Sequence, residues 1–464
     1  MTAPESAREC VTLVRSGRAS ALEITDAAIA RTLAGDGAIN SFTAVLAERA
    51  RTEARAIDAQ RARGLELPPL AGVPYAVKNL FDLQGLATLA GAKLRAKDPP
   101  AQHDAALVQR MHAAGAVVTG ALNMDAYAYG FTTENTHFGV TRNPRDHTRV
   151  AGGSSGGSGA AVAAGFSYFS LASDTNGSIR VPASFCGVFG LKPTFGRLTR
   201  SGTYPFVPSL DHLGPLARNA GDLALVYDAL QGPDGNDPAC AGRGIEAVCP
   251  ALDAGVRDLR IAVLGGHFEQ WADADARLAT ARAAAALGAV DTAILPEAHR
   301  ARSAAFIITA TESGSFYAEE LRRRPQDFEP LSRDRLTAGA MLPAHWYVRA
   351  QRFRRWFQQA ARELFSRYDL LLAPATPCTA TPIGAETMVL NGETLPVRPN
   401  IGLLTQPVSF IGLPVAVAPL WTSGGMPIGV QLIAAPWRED LCLRAVRTLE
   451  NAGLAKSPIA ASIA

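Results

Sequence analysis

Three short segments hold residues whose types and spacing could do chemistry. SDTNGSIRVP (173–182) gathers one acid, one Asn, one Gly, two Ser and one Arg into ten positions, and VAGGSSGGSG (150–159) lies just upstream with three more serines. A serine hydroxyl is a weak nucleophile until a base removes its proton, and neither segment contains a histidine. His299 and His345, the remote downstream candidates, sit in no setting that suggests a triad. The remaining base is a neutral lysine. Only five of the 45 basic residues are lysine (Lys78, Lys93, Lys97, Lys192 and Lys456), and arginine cannot lose its proton inside a protein. Burial disfavours the ammonium form and so turns a lysine into a base near neutral pH. Lys78, in GVPYAVKNLFD (72–82) between Tyr75, Ala76, Val77, Leu80 and Phe81, is the best placed of the five. Beside Ser178, the small Thr175 with Asn176 and Gly177 lets backbone N–H groups converge, as a tetrahedral oxyanion requires.

Other readings of the serine loop compete. A Gly/Ser stretch can be a flexible linker, although this one lies between ordered segments and opens a helix. A phosphate cradle at a helix N-terminus would need the Gly-Lys-Ser/Thr of a Walker loop, which is absent. GGSSG matches G-x-S-x-G, the nucleophile elbow, with Ser154 as nucleophile; that elbow follows an apolar strand, whereas TRNPRDHTRVA (141–151) is polar and contains proline. Lys192, in GVFGLKPTFG (187–196), reads as a structural lysine.

The elements that must position these residues follow from periodicity. Residues 1–65 read as helices, with Leu13, Val14, Ile24, Ala27, Ala28 and Ile29 at helical spacing. GVPYAVKNLF reads as a buried strand, 104–116 as a helix, AVVTGALNM as a strand, GSGAAVAAGF (157–166) as a small-residue helix and FSYFSLASD as a strand running into SDTNGSIRVP. This helix–strand rhythm predicts an α/β fold, with Ser178 just past a strand end where open sheets place ligands. The catalytic core spans 66–230, a Gly/Pro-rich loop occupies 231–256, and 257–464 completes the same single domain with a strand at DLRIAVLGG, a helix at DARLATARAAAALGA and three short apolar strands near the C-terminus. YAEELRRRPQDFEPLSRDR (317–335) reads as a solvated surface.

Composition narrows the function classes. With 45 basic against 42 acidic residues the formal charge is +3, leaving no basic stripe for nucleic acid. Hydrophobic content of 48% is ordinary globular usage, no run is long enough for a membrane span, and the first residues lack a signal-like apolar stretch. Six scattered cysteines without metal-like spacing suit reduced thiols, so a cytoplasmic protein without metal or cofactor is expected.

AGGSSGGSGAAVAAG followed by SDTNGSIRVPASFCGVFGLKPTFGR closely resembles the amidase signature family. GVPYAVKNLFD, LNMDAYAYGFTTENTHFGVTRNPRD (122–146) and GLPVAVAPLWTSGGMPIGVQLI (412–433) resemble its pattern too, so the likeness spans about residues 70 to 440 and is weakest over 240–365. It implies a large mixed β-sheet covered on both sides by helices, with Ser178 as acyl-accepting nucleophile, Ser154 as bridging serine after a cis peptide bond and Lys78 as terminal base. It further implies an oxyanion hole from the N–H groups of Thr175, Asn176, Gly177 and Ser178, with Ser155, Asp174 and Arg180 supporting the loop and Tyr129 and Arg398 in the substrate pocket. Asn176 and Val181 depart from the family's more usual Gly and Gln, and Asn176 should narrow the pocket and offer a side-chain amide. With NMDAYAYGFTTEN and SLDHLGPLARN, this is similar to the subgroup that includes the carboxybiuret hydrolase of triazine breakdown, which cleaves small urea-like amides next to a carboxylate and releases ammonia. The alternative is the glutaminase component of the tRNA-dependent amidotransferase. Both relatives imply a small helical partner protein, and an oligomer is expected.

Overall fold

The computed structural model describes residues 4–461. Its frame is one sheet of eleven strands: β1 (Phe42–Val45), β2 (Pro74–Lys78), β3 (Val117–Leu122), β4 (Phe169–Asp174), β5 (Phe189–Lys192), β6 (His212–Ala217), β7 (Ile261–Leu264), β8 (Asp291–Ala293), β9 (Leu370–Pro374), β10 (Val415–Trp421) and β11 (Pro427–Ala434). Their spatial order is β1-β3-β2-β4-β6-β5-β10-β11-β9-β7-β8. The sheet is mixed: β2 runs parallel to both β3 and β4, β9 and β8 run parallel to β7, and the pairs between β4 and β9 are antiparallel.

Strands that alternate between two buried faces explain why short continuous apolar runs serve here. In β2, Tyr75 and Val77 belong to one core cluster and Ala76 to another; in β4, Phe169 and Leu171 fall with the first and Ala172 with the second. The second cluster is closed by the small-residue helix Gly156–Ala163 and by Ile179, Ala183 and Cys186, so helices cover both faces, as expected. The small side chains of Gly156–Ala163 have a packing cause. A Cβ at Gly157 would lie 2.5 Å from the carbonyl oxygens of Ser41 and Asn123, so this helix sits against the end of β3 as only glycine permits.

The N-terminal segment corrects the all-helical expectation. Helices Ala7–Ser16, Ala21–Ile39 and Ala47–Ala62 are interrupted by β1, which adds antiparallel to β3 at the sheet edge. Its four residues are too few to show a period. Ser20 and Glu23 form a reciprocal capping box that starts the second helix. The loop 231–256 contains one short 3₁₀ turn, Cys249–Ala251, and strands from before and after it join the same sheet. No helix among the described residues is long and apolar enough to cross a membrane.

Candidate active site

Parallel pairing of β2 with β3 and β4 brings three carboxyl ends to one edge, and the chemistry-bearing residues collect there. Lys78 is the last residue of β2; Ser173 and Asp174 end β4; Asn123 to Asp125 follow β3. Lys78 is fully buried, and its Nζ donates to Ser154 Oγ at 2.7 Å and to Ser173 Oγ at 2.9 Å. Burial pulls the Lys78 ammonium down to about 7, against the opposing pull of Asp125, Asp174 and Asp211. A substantial neutral fraction is therefore present near pH 7.

Ser154 follows a cis Gly153–Ser154 peptide bond. Its carbonyl accepts from the Asp125 N–H at 3.1 Å, and Thr133 Oγ1 donates to the Gly152 carbonyl while accepting from Gly156 N–H. Ser155 Oγ donates to the Ser173 carbonyl at 3.1 Å, tying the serine loop to the end of β4. The hydrogen-bonded chain from Lys78 ends at Ser154: among the described residues no bond joins it to Ser178, whose hydroxyl has no partner although the residue is only 3% exposed.

The turn that carries Ser178 is held from below. Asp174 and Arg180 are both fully buried and pair through two contacts of 3.0 Å, Nε to Oδ2 and Nη2 to Oδ1. Arg180 also donates to Thr405 O, Gln431 Oε1 and Ser409 Oγ, so all five guanidinium hydrogens have acceptors. Burial alone would raise the Asp174 carboxyl, but the charge and hydrogen bonds of Arg180 hold it well below the usual range. Asp174 Oδ2 further accepts the Ile179 N–H at 3.1 Å. Between these anchors, the N–H groups of Thr175, Asn176, Gly177 and Ser178 find no acceptor among the described residues. Four free donors beside an unpartnered hydroxyl are the groups an oxyanion hole requires.

Gly177 has φ +140°, and a Cβ there would lie 2.2 Å from Thr405 Oγ1. Gly177→Ala is therefore expected to displace the turn, and if the N–H groups of 175–178 receive an oxyanion, as the family resemblance implies, kcat/KM should fall about 10²–10³-fold in a steady-state assay.

Of the two pocket candidates, Tyr129 is packed between the Phe206 ring, 5.0 Å away, and the Arg335 guanidinium, 3.6 Å from its centroid. Arg398 donates to Thr132 Oγ1 at 3.2 Å and lies 3.6 Å from Asp125 and 3.8 Å from Glu134, which places it next to the Ser154 loop with its charge already balanced. Lys192 Nζ donates to the carbonyls of Pro193 and Leu413.

Several residues near the site have no role assigned by the sequence reading. Ser173 is the second partner of Lys78 and lines a cavity of about 170 Å³ with Leu80, Tyr204, Phe206 and Asp211. Asp211 accepts from Thr175 Oγ1 at 2.6 Å, and Thr405 and Thr309 hold Asn176. Only the parallel register of β2 on β4 makes Ser173 a neighbour of Lys78, and no local pattern announces that register.

The amidase family model matches residues 23–443. The chain belongs to the amidase signature family. It is a hydrolase acting on amides. It is 59% identical over 450 residues to AtzE of Pseudomonas sp. (strain ADP), named as a component of 1-carboxybiuret hydrolase, covering 97% of this chain and 98% of that protein. The A component of the glutamyl-tRNA(Gln) amidotransferase of Moorella thermoacetica (strain ATCC 39073 / JCM 9320) is 37% identical, covering 96% of each chain. Among solved structures, a vestigial protein complex that reveals the evolutionary origins of an s-triazine catabolic enzyme superposes with TM-score 0.97 at 58% identity, covering 98% of this chain and 100% of the other.

Proposed function

We propose that this enzyme hydrolyses a small polar amide, urea-like or carboxylate-bearing and of the carboxybiuret type, with Ser178 as nucleophile, Ser154 as proton shuttle and Lys78 as terminal base. The observation that carries the reading is a fully buried amine, drawn down to about 7, within 2.7 Å of the Ser154 hydroxyl. Neutral Lys78 takes the Ser154 proton as Ser154 takes that of Ser178, and Ser178 Oγ attacks the amide carbon. The bond between the two hydroxyls closes as substrate docks, since catalytic hydrogen bonds often tighten only in the complex. The oxyanion is received by the N–H groups of residues 175–178. The relay returns a proton to the leaving nitrogen, releasing ammonia and an acyl-enzyme, which water cleaves by the same path. Asp174, Arg180 and Ser155 position the loop, and no step needs Tyr129. The 59% identity to a carboxybiuret hydrolase component favours this substrate class over glutamine, for which the identity is 37%.

The direct test is the pH profile. Because Lys78 must be neutral to accept a proton, kcat/KM should fall tenfold per unit as pH drops below about 7 and level off above it. Lys78→Arg, whose guanidinium stays charged, should show no rise at any pH up to about 10. A profile flat from about pH 5 to 9 would remove lysine from the mechanism.

AtzE is by its name one part of a larger enzyme, and we propose that this chain likewise works with a small helical partner in an oligomer. Co-purification followed by light scattering tests this. We also propose a cytoplasmic location, a reading that six scattered free cysteines support.

A further inference from the structure

The turn that holds Ser178 presents an acceptor as well as four donors. Asn176 is only 7% exposed, and it is held once through its side-chain amide and once through its backbone. Its Nδ2 donates to Thr309 Oγ1 at 2.9 Å, from the helix Ala298–Arg323, and its backbone carbonyl accepts from Thr405 Oγ1 at 2.7 Å. The other end of that amide, Oδ1, is buried and has no donor. A buried carbonyl without a donor is rare in folded proteins, and each one asks for an explanation. Here it stands two residues before Ser178, in the same turn as the free N–H groups of 175–178.

We propose that Asn176 Oδ1 accepts a hydrogen bond from a substrate N–H on the non-leaving side of the scissile carbonyl, and so selects ureas and biurets over carboxamides. The inference rests on Ser178 as nucleophile. With the carbonyl oxygen on the backbone donors, the group that flanks the carbonyl carbon lies beside the turn's only side-chain amide. An N–H flank fills the open valence of Oδ1. A CH₂ flank, as next to the side-chain amide of glutamine, leaves it unpaired and dehydrated, and sites built to bond a substrate N–H discriminate strongly against analogues that lack it. Thr309 acts as a positioning residue: its bond to Nδ2 fixes which end of the amide faces the substrate.

Biuret and malonamide, identical in outline but with N–H replaced by CH₂, separate these effects. Labelling of Ser178 by a fluorophosphonate, followed by mass spectrometry, measures how well each protects the site whether or not it is turned over. In the wild-type enzyme biuret should halve the labelling rate at a concentration roughly 10–100-fold below that of malonamide. In Asn176→Gly the two should come within about threefold, since the acceptor is gone. Thr309→Val, which leaves the turn's backbone in place, should narrow the gap as well, and serves if Asn176→Gly does not fold. Equal protection in the wild type, a preference for malonamide, or a gap preserved in both variants would overturn the assignment. Absence of any label on Ser178 would instead strike the nucleophile reading, and this inference with it.

Discussion

Alanine at Ser178 is expected to lower kcat/KM for ammonia release by about 10⁴–10⁶, and Ser154→Ala and Lys78→Met should each cost a comparable factor. In the proposed mechanism the three side chains act as one relay, so removing any one would disable it, and the remaining backbone donors would retain only a residual acceleration. Non-additivity follows: Ser154→Ala combined with Lys78→Met should be no worse than the poorer single variant. Independent contributions would multiply instead, and a product of the two losses would show that Lys78 does not work through Ser154. Lys78→Met fits the geometry for a physical reason. The site is fully buried, and methionine replaces the ammonium stem with a flexible apolar chain that leaves no buried charge. Folding can therefore be checked by the unchanged far-ultraviolet spectrum while the rate collapses. Mass spectrometry adds a second readout, since Ser178 should carry a fluorophosphonate adduct in the wild type and form it slowly or not at all in the lysine variant.

Much of this site is legible in sequence because its residues violate their surroundings. Lys78 stands out as a lone cation in GVPYAVKNLF, and the structure returns it as the terminal residue of a buried strand. FSYFSLASD and the helix after GGSSG fall where their periods put them, at Phe169–Asp174 and Gly156–Ala163. What stays hidden depends on long-range packing. The partner of Asn176 is Thr309, 133 residues away, and the acceptors that complete Arg180 lie at Thr405, Ser409 and Gln431, 225 to 251 residues away. Each is an ordinary polar residue in its own segment. Arg398 enters only through the family resemblance, and the carboxylates that balance it, Asp125 and Glu134, come from the other half of the chain. Residue type announces a demand for partners, whereas the fold alone names them.

The second large effect is structural, and it links stability to catalysis through the same turn. Arg180→Met should destabilise the protein by about 3–5 kcal/mol, because it strands the Asp174 carboxylate in a site sealed from bulk solvent. The carboxyl would then either stay charged at that cost or take up a proton, and the protonated form is the weaker acceptor for the Ile179 N–H that closes the turn. Asp174→Asn in the Arg180→Met background should recover part of the loss, since it removes the unpaired charge that causes it, while neither variant regains the wild-type rate. Urea unfolding followed by fluorescence measures the first quantity, and the midpoint should move without a change of slope if the folded state stays compact. An Arg180→Met protein as stable as the wild type would mean that the pair is solvated by water rather than sealed, and the turn beneath Ser178 would then be held by Thr405, Thr309 and Asp211 without it. The order of the two losses is itself informative: if activity vanishes at urea concentrations well below the unfolding midpoint, the turn opens locally before the sheet does, as expected for a loop whose shape depends on one buried ion pair.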